Sequence, residues 1–391
     1  MSDVRGRAAA RMARIPPYLF ADIDRRVAAR RAAGVDVISL DIGDPDTPTP
    51  AAIVDAARAA VRDPVNHHYA AYSGLRELRI AMADWYGRRF GVDLDPDTEV
   101  LPTLGSKDGI AHLPLALVDP ADVVLCPDPG YPVYVTGALL AGAEPHRMPL
   151  LEANGFLPDL TAIPDPVLRR ARLLWLNYPN NPTGAVAPRS FFEEAVAFCA
   201  RHRIVLASDA PYTEVSFDGY RAPSLLEVPG ARAVGLEFHS LSKTYNMTGW
   251  RVGMAVGNAE LVGLLGQLKT NLDSGIFQVV QHAAIAALAE PAEPLAERNA
   301  VIRRRQLMLR DALAGVGIDV SLPAATFYLW ARVPDGYDSI SFAAALLDQV
   351  GVNVTPGVGF GPSGEGYFRV SVTAPDARVD EACERLRRLH L

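Results

Sequence analysis

Cysteine is scarce in this chain of 391 residues, and its scarcity argues against a disulfide framework. The three cysteines, Cys126, Cys199 and Cys383, are odd in number, scattered along the chain and without a Cys-X-X-Cys pair. Such usage is typical of reduced thiols in the cytosol. We therefore predict a cytoplasmic protein.

Long apolar runs and an excess of basic charge are also missing. No apolar run reaches the roughly 18 residues that a membrane-spanning helix needs, and the Arg-rich N-terminus lacks a secretory apolar stretch and cleavage site. The net charge is −7, so no basic face for nucleic acid or for an anionic membrane is expected. Hydrophobic residues make up 49% of the chain, which is ample for a large core and more than one lobe.

Short β-rich runs alternate with helical patterns over the first 290 or so residues. The runs are DVISLDIG, DTEVLPTLG, DVVLCPDPG, RLLWLNYP, RIVLASDAP, AVGLEFHS and RVGMAVGN, and helical patterns such as 107–118 and 189–202 separate several of them. Buried strands that alternate with helices predict an α/β fold, in which a largely parallel sheet is covered by helices on both faces.

The alternation weakens after about residue 290, which indicates a change of architecture. There a charged helical pattern precedes two strand signals, FYLWARVP and YFRVSVT, with a helix between them. We predict three parts: an N-terminal arm with part of a small domain over residues 1–48, a large domain over 49–288, and a small α+β domain over 289–391.

Lys243 lies between two apolar runs and among small hydroxyl side chains, in HSLSKTYNMTGWRVG. Taken alone, such a lysine is usually solvated or ion-paired. Here Ser240 and Ser242 precede it and Arg251 follows, and together these donors suit a phosphate dianion. An amine near a phosphate site and screened from water can have its pKa lowered enough to attack an aldehyde. An aldehyde that carries a phosphate describes pyridoxal 5′-phosphate (PLP).

A PLP site makes further demands, which other motifs can meet. The ring nitrogen needs a carboxylate; Asp209 ends a predicted strand, where an aspartate alone is more often a cap or turn residue. Tyr212 and Asn181 could hold the ring's 3′ oxygen from opposite sides, although NYPNNPTG alone indicates only a turn. Ser106 and Lys107 open a predicted helix whose free N–H groups suit the same phosphate.

In their order along the chain, these motifs resemble those of the PLP-dependent class I and II aminotransferases of fold type I. The similarity runs from about Pro16 to Val372, through GSKDGIAHLPLALVDPADVVLCPDPGYPVY, NYPNNPTG, SDAPY, SLSKTYNMTGWRVG and GEGYFRVS. Within that family, PPYLFADIDRRV, LDIGDPDTPTP, KTNLDSGIFQ and TPGVGFGPSGEGYFRVS are most similar to the LL-diaminopimelate aminotransferase group. The resemblance implies an α/β large domain plus a smaller α+β domain.

The resemblance also implies a role for each matching residue. Lys243, Asp209 and Tyr212 would be catalytic: the lysine would bind the cofactor covalently and the aspartate would pair with the ring nitrogen. Tyr131 would stack on the ring, although alone it would be an ordinary buried tyrosine about as often. The remaining cofactor contacts would come from Ser106, Lys107, Asn181, Tyr212, Ser240, Ser242, Arg251 and, from the neighbouring subunit, Tyr69.

Four residues would contact the substrate in this family. Arg369 would grip the α-carboxylate with two parallel hydrogen bonds, although a strand-face arginine alone is more often ion-paired. Gly43 would leave room for the substrate beside the ring, and Asn181 and Tyr18 would complete the set. A homodimer with shared active sites is implied as well, since Tyr69 and the segment with Asn271, Asp273 and Ser274 would act across the subunit boundary.

The implied activity is amino transfer between an L-amino acid, LL-diaminopimelate-like or other, and a 2-oxo acid such as 2-oxoglutarate. The freed Lys243 would move the α-proton, first as a base and then as an acid. Another PLP reaction, by a β-lyase, a cyclase or an oxidase, stays open, because these motifs do not report which α-bond breaks. A PLP-sensing transcription regulator is disfavoured, because it would need a DNA-binding module and only about 40 residues precede LDIGDPD. A nicotinamide dehydrogenase is disfavoured because the Gly-X-Gly-X-X-Gly fingerprint is missing.

Overall fold

The computed structural model of the protein describes residues 8–15, 19–290 and 293–391. Its largest sheet has seven strands. In chain order these are β2 Val100–Thr103, β3 Val123–Asp128, β4 Glu144–Pro149, β5 Ala171–Asn177, β6 Val205–Asp209, β7 Gly235–Ser240 and β8 Gly253–Gly257. Across the sheet their order is β2-β8-β7-β6-β5-β3-β4. Strand β8 runs antiparallel to both of its neighbours, and the other neighbouring strands are parallel.

Fourteen α-helices are found in the described ranges. They are α1 Leu19–Ala32, α2 Ala51–Ala60, α3 Arg76–Phe90, α4 Ser106–Leu117, α5 Val133–Leu140, α6 Asp165–Leu168, α7 Arg189–His202, α8 Ala231–Val234, α9 Leu241–Thr244, α10 Ala259–Lys269, α11 Gln278–Ala289, α12 Glu293–Ala314, α13 Ser339–Val350 and α14 Asp376–Leu386. Within these ranges no helix combines the length and the apolar character that crossing a bilayer requires.

Both faces of the seven-stranded sheet are buried, as the apolar runs predict. Alternate residues of a strand point to opposite faces. In β5, Leu174 belongs to one apolar cluster with Phe192 of α7, whereas Trp175 belongs to another with Leu113 of α4. These four side chains are at most 1% exposed. Continuous apolar runs such as LLWL are therefore explained by two separate cores, one on each side of the sheet.

Two smaller sheets lie outside the central one. Strands β9 Tyr328–Arg332, β11 Thr355–Pro356 and β12 Tyr367–Ser371 form an antiparallel sheet in the order β11-β12-β9. Strand β1 Ile38–Ser39 pairs in parallel with β10 Val352–Asn353. The run DVISLDIG, which we grouped with the central strands, therefore belongs to a separate two-stranded sheet. Its pairing partner is more than 300 residues away, which local sequence cannot reveal.

The edge strand β4 has no clear signal in the sequence. Its residues, EPHRMP, include two prolines and three ionisable side chains, which are untypical of a strand. Six residues nevertheless pair with β3, and Met148 is buried at 2% exposure. An edge strand tolerates proline because one of its sides needs no ladder hydrogen bonds. The division at residues 48 and 288 stays a prediction.

Candidate active site

A cavity of about 400 Å³ opens where three central strands end. Asn177, Asp209 and Ser240 are the last residues of β5, β6 and β7, and all three line it. Twelve of the fourteen residues predicted for the site also line this cavity: Gly43, Ser106, Lys107, Tyr131, Asn181, Asp209, Tyr212, Ser240, Ser242, Lys243, Arg251 and Arg369. The carboxyl ends of parallel strands are where α/β sheets bind ligands.

Two predicted residues are not part of this lining. Tyr69 is 88% exposed and does not line the cavity of its own chain. Tyr18 lies outside the described residues. Within one chain, the structure thus brings together every described member of the predicted site except Tyr69.

The Lys243 amine is held in the cavity and is easily deprotonated. Its Nζ donates to the main-chain carbonyl of Gly43 at 2.6 Å. Burial lowers the pKa of Lys243 to about 8; the Asp44 carboxylate acts in the opposite direction, whereas Arg251 and Arg369 lower the pKa further. A substantial share of the amine is therefore neutral near pH 8, which is the nucleophilic form.

Asp209 is a buried carboxylate with one occupied and one open oxygen. The Tyr134 hydroxyl donates to Oδ2 at 2.6 Å, whereas Oδ1 is buried and has no hydrogen-bond partner among the described residues. Burial raises the pKa of Asp209 to about 7; the Tyr134 hydrogen bond lowers it and the charge of Glu237 raises it. An unpaired buried oxygen is costly, and a cationic N–H placed at Oδ1 would satisfy it.

The start of helix α4 and Arg251 form a compact anion cradle. Gly105 precedes the helix with φ +76°, and a Cβ on it would lie 2.2 Å from Arg251 Nη2. A side chain at position 105 would therefore strain this positive-φ backbone and displace the Arg251 guanidinium. The N–H groups of Ser106 and Lys107, at the start of the helix, have no partner within it. The Ser240 Oγ accepts from the Ser242 N–H at 3.2 Å, so its own proton remains available to an anion.

Arg369 is 3% exposed, and one of its three guanidinium nitrogens is open. Its Nη1 donates to Asn181 Oδ1 at 2.7 Å and its Nη2 donates to the carbonyl of Asp41, but in the described part of the chain Nε has no partner. The guanidinium carbon lies 4.1 Å from the ring centroid of Tyr328 and 4.7 Å from that of Phe360. Aromatic faces on the guanidinium preorganise it for a carboxylate.

Tyr328 closes the site beside Tyr212 and Gly43. The hydroxyls of Tyr212 and Tyr328 lie 3.2 Å apart. A Cβ on Gly43 would lie 1.9 Å from the Tyr328 hydroxyl, so a side chain at this position would collide with Tyr328. Since Arg369 occupies Asn181 Oδ1, the Asn181 amide N–H₂ is the part of that side chain that can hold a ring oxygen.

Several residues that line the cavity or support it were not among the predicted site residues. Tyr134 follows the predicted stacking residue Tyr131 by three positions, and this spacing at the start of α5 was the one available signal. Tyr328 and Phe360 lie within the three-stranded sheet region and reach the cavity only through tertiary packing. Asn177, Ile42, Pro211 and Thr248 also line the cavity.

The residues present fit PLP. The open Asp209 Oδ1 suits a protonated ring nitrogen, the Lys243 amine with its lowered pKa suits an aldehyde carbon, and the cradle around Gly105 and Arg251 suits a phosphate. These three functions come from separate parts of the chain, and the fold places them around one cavity.

Comparison with known proteins identifies the family. Residues 35–386 match the family described as aminotransferase class I and II. An LL-diaminopimelate aminotransferase of Desulforudis audaxviator is 56% identical over 379 residues, which are 97% of each chain. Substrate-bound BacF from Bacillus subtilis has a TM-score of 0.95 at 36% identity and covers 98% of both chains. A single mutant of Thermus thermophilus aspartate aminotransferase has a TM-score of 0.91 at 29% identity, over 98% of this chain and 99% of that one. The chain therefore belongs to the class I and II aminotransferases and is a PLP-dependent enzyme of fold type I, which transfers an amino group between an L-amino acid and a 2-oxo acid.

Proposed function

We propose that this aminotransferase uses LL-diaminopimelate as its amino donor and 2-oxoglutarate as its acceptor, in lysine biosynthesis. The observation that carries the proposal is the 56% identity to an LL-diaminopimelate aminotransferase over 97% of the chain. Besides Lys243 and Arg251, which we assign to the cofactor, two cationic side chains line the cavity, Arg369 and Lys107. They support the proposal because this donor has two carboxylates.

Lys243, Asp209 and Arg369 divide the work in the proposed reaction. PLP, when bound, supplies an electron sink for the negative charge left at the α-carbon. Lys243 Nζ removes the α-proton of the donor as a base and returns it as an acid. Asp209 Oδ1 accepts from the protonated ring nitrogen, and Arg369 binds the α-carboxylate of the donor through its open Nε–H.

The remaining site residues bind and orient. We assign the phosphate to Ser106, the Lys107 main chain, Ser240, Ser242 and Arg251, and the ring to Tyr131 by stacking. Tyr212 and Asn181 hold the 3′ oxygen, and Gly43 leaves space for the donor. Tyr18 belongs to this proposal by resemblance alone, as a substrate contact.

Lys107 is our candidate for the distal carboxylate of the donor. Its Nζ lies 5.6 Å from the ring centroid of Tyr131, the predicted stacking residue. Burial, followed by the charge of Arg251, lowers the pKa of Lys107. For the distal ammonium our candidate is the exposed Asp44, because its charge already acts on the nearby Lys243 amine.

A panel of three donors tests the proposed specificity. LL-diaminopimelate should give the highest kcat/KM; L-lysine lacks the distal carboxylate, and 2-aminopimelate lacks the distal ammonium. Each analogue should be at least about 100-fold poorer, because it leaves a charged group of the site without its partner. The rate of each half-reaction is measured from the change in the visible absorbance of the PLP-loaded enzyme. Equal rates for all three donors would contradict this specificity.

The same panel separates amino transfer from the other PLP reactions. A transaminase changes its absorbance on addition of donor alone, stays in the aminated form and returns only when 2-oxoglutarate is added. A β-lyase, a cyclase or an oxidase would turn over without a 2-oxo acid, and the products would reveal it.

We also propose a homodimer with shared active sites. Several large apolar or aromatic side chains are exposed in the single chain, including Tyr69 at 88%, Ile42 at 55%, Tyr72 at 52%, Leu272 at 51% and Phe277 at 51%. Such side chains, when clustered, indicate an interface. The predicted interface segment that contains Leu272 also exposes Asn271 and Ser274, whereas Asp273 accepts from Lys269 Nζ at 2.5 Å within its own chain.

Mixing Tyr69→Phe with an inactive variant tests the contribution of Tyr69. Tyr69→Phe should weaken PLP binding by about 10- to 100-fold, because a hydrogen bond to a charged group contributes about 1.5–3 kcal/mol. When it is mixed and reassembled with Lys243→Ala, the hybrid dimers have one site with Tyr69 from one subunit and Lys243 from the other. Activity above that of Tyr69→Phe alone, at subsaturating PLP, is expected. No gain, or a monomer in sedimentation, would contradict the shared site.

Two broader assignments complete the proposal. We propose a cytoplasmic location, which the three buried cysteines without disulfides support. We also propose the division into residues 1–48, 49–288 and 289–391, supported by the positions of the strands: those of the central sheet lie between residues 100 and 257, and those of the smaller sheets lie before and after them.

A further inference from the structure

One arginine of helix α12 binds the end of the short helix that carries Lys243. Arg298 Nη1 donates to the main-chain carbonyl of Lys243 at 3.0 Å and to that of Thr244. We propose that Arg298 is a positioning residue for Lys243, which it holds through the main chain. This inference rests on the proposed function of Lys243.

Helix α9 cannot fix this position by itself. It has four residues, and the carbonyls at the end of a helix have no partners within it. The carbonyls of Leu241 and Ser242 accept from the nearby N–H groups of Tyr245 and Met247, at 3.0 and 3.2 Å. Those of Lys243 and Thr244 accept from Arg298, which comes 55 and 54 residues later.

Arg298 is itself anchored, so it can transmit a fixed position. Its Nη2 donates to Asn299 Oδ1 at 3.3 Å, and the Asn299 amide donates to the carbonyls of Glu214 and Ser216 at 2.8 and 3.2 Å. The segment 214–216 lies shortly after Asp209 and Tyr212 in the chain. Two successive residues of α12 therefore bind both segments that supply the proposed catalytic groups.

Water could replace the two hydrogen bonds of Arg298 but could not replace the constraint. A cavity of about 290 Å³ adjoins the guanidinium and is also lined by Thr244, Tyr245 and Asn246. Burial lowers the pKa of Arg298 to about 10, so it remains cationic at neutral pH. A variant without the guanidinium would leave two carbonyls to mobile water, which satisfies hydrogen bonds without fixing the main chain.

The charge of Arg298 does not govern the Lys243 amine. The charges that shift the pKa of Lys243 are those of Asp44, Arg251 and Arg369, and Arg298 is not among them. Its loss should therefore change the position of Lys243 but not its affinity for a proton. This separates a positioning role from an electrostatic one.

The test compares Arg298→Gln and Arg298→Lys in the PLP-loaded enzyme, with Arg304→Gln as the matched control. Arg304 lies on the same helix, pairs with Asp376 and has a side chain that is 54% exposed, so the control removes the same charge away from Lys243.

In single turnover, Arg298→Gln should remove the α-proton of the donor about 10- to 100-fold more slowly, because small displacements of a reacting group cost that much. The apparent Kd of the donor and the pH midpoint of the visible absorbance should stay unchanged. Arg298→Lys should recover part of the rate, and Arg304→Gln should match the parent.

Amide hydrogen exchange of the cofactor-free protein gives a second readout. The peptide that covers residues 241–247 should exchange faster in Arg298→Gln than in the parent or in Arg304→Gln, while peptides of the central sheet should not change. A rate within twofold of the parent with unchanged exchange would overturn the proposal. Faster exchange throughout Arg298→Gln, with no recovery in Arg298→Lys, would also overturn the proposal, because it would show that Arg298 acts on overall stability. If Lys243→Ala still forms the borohydride-reducible bond, the proposed function of Lys243 is wrong. The exchange of residues 241–247 does not depend on that function, so the two failures can be distinguished.

Discussion

Lys243→Ala should lower the rate of amino transfer by about 10⁴-fold or more. A positioned general acid–base group alone contributes roughly 10²–10⁴-fold, and this variant also loses the amine that attacks the aldehyde. The structure gives the amine both properties that such a role needs, a fixed position against the Gly43 carbonyl and a pKa lowered to about 8. The measurement is the half-reaction with LL-diaminopimelate in stopped flow, together with peptide mapping after borohydride reduction.

Lys107→Met is the matched control for this prediction. Lys107 lines the same cavity and its pKa is also lowered by burial, so the effect of removing a cation from the cavity appears in both variants. Lys107→Met should keep the borohydride-reducible bond at position 243, whereas Lys243→Ala should lose it. A reducible bond in Lys243→Ala, or full turnover by that variant, would contradict the assignment of Lys243.

Asp209→Asn should lower the rate by about 10²–10³-fold, the range found when one preorganised electrostatic group is removed from an active site. The amide keeps the shape of the side chain and can still bond with Tyr134. It carries no charge at the open position of Oδ1, where the ring nitrogen is expected. Tyr134→Phe should have a smaller effect in the same direction, because the carboxylate remains but loses its 2.6 Å donor. Equal rates in Asp209→Asn and the parent would contradict this role.

The pH dependence of stability checks the same residue without any turnover. The pKa of Asp209 is raised to about 7 in the folded protein, compared with about 3.9 in an unfolded chain. A raised carboxyl pKa means that the contribution of Asp209 to the free energy of unfolding is present below about pH 4 and is lost as the pH rises through about 7. Cofactor-free Asp209→Asn should therefore gain stability relative to the parent between pH 4 and 8. Tyr134→Phe should lose stability at pH 8, because the pKa of Asp209 rises further. Melting curves at fixed protein concentration provide the comparison; a pH-independent difference would contradict the sign.

The elements that were predicted correctly have a strong local signal. Helix α7 was predicted over 189–202 and forms over those residues, because its apolar positions repeat at helical spacing and Pro188 directly precedes it. Strand β6, which ends at Asp209, is a short run of apolar and small residues followed by a turn. It also forms where it was predicted. By contrast, β1 is a two-residue strand whose partner is β10. Its short apolar run is compatible with either sheet.

The site residues also divide into those with a local signal in the sequence and those placed only by tertiary packing. Lys243, Asp209 and Arg251 could be recognised because each lies in a motif with a chemical reason for its residue types. Tyr328 could not be recognised, since FYLWARVP indicates an ordinary strand and nothing in it points to the Gly43 position. Arg298 is one of many arginines in a charged helical pattern, and only the packing of α12 separates it from Arg304.

The sequence by itself determined that the protein has a covered, largely parallel α/β sheet and that its polar motifs follow the ends of the strands. These properties depend on residues that are close together in the chain, so local patterns report them. The tertiary structure decided which oxygen of Asp209 stays open, which carbonyl holds the Lys243 amine and which arginine binds the end of α9. Each of these depends on contacts between segments that are tens to hundreds of residues apart, and the free energy of such contacts arises only when the whole chain has packed.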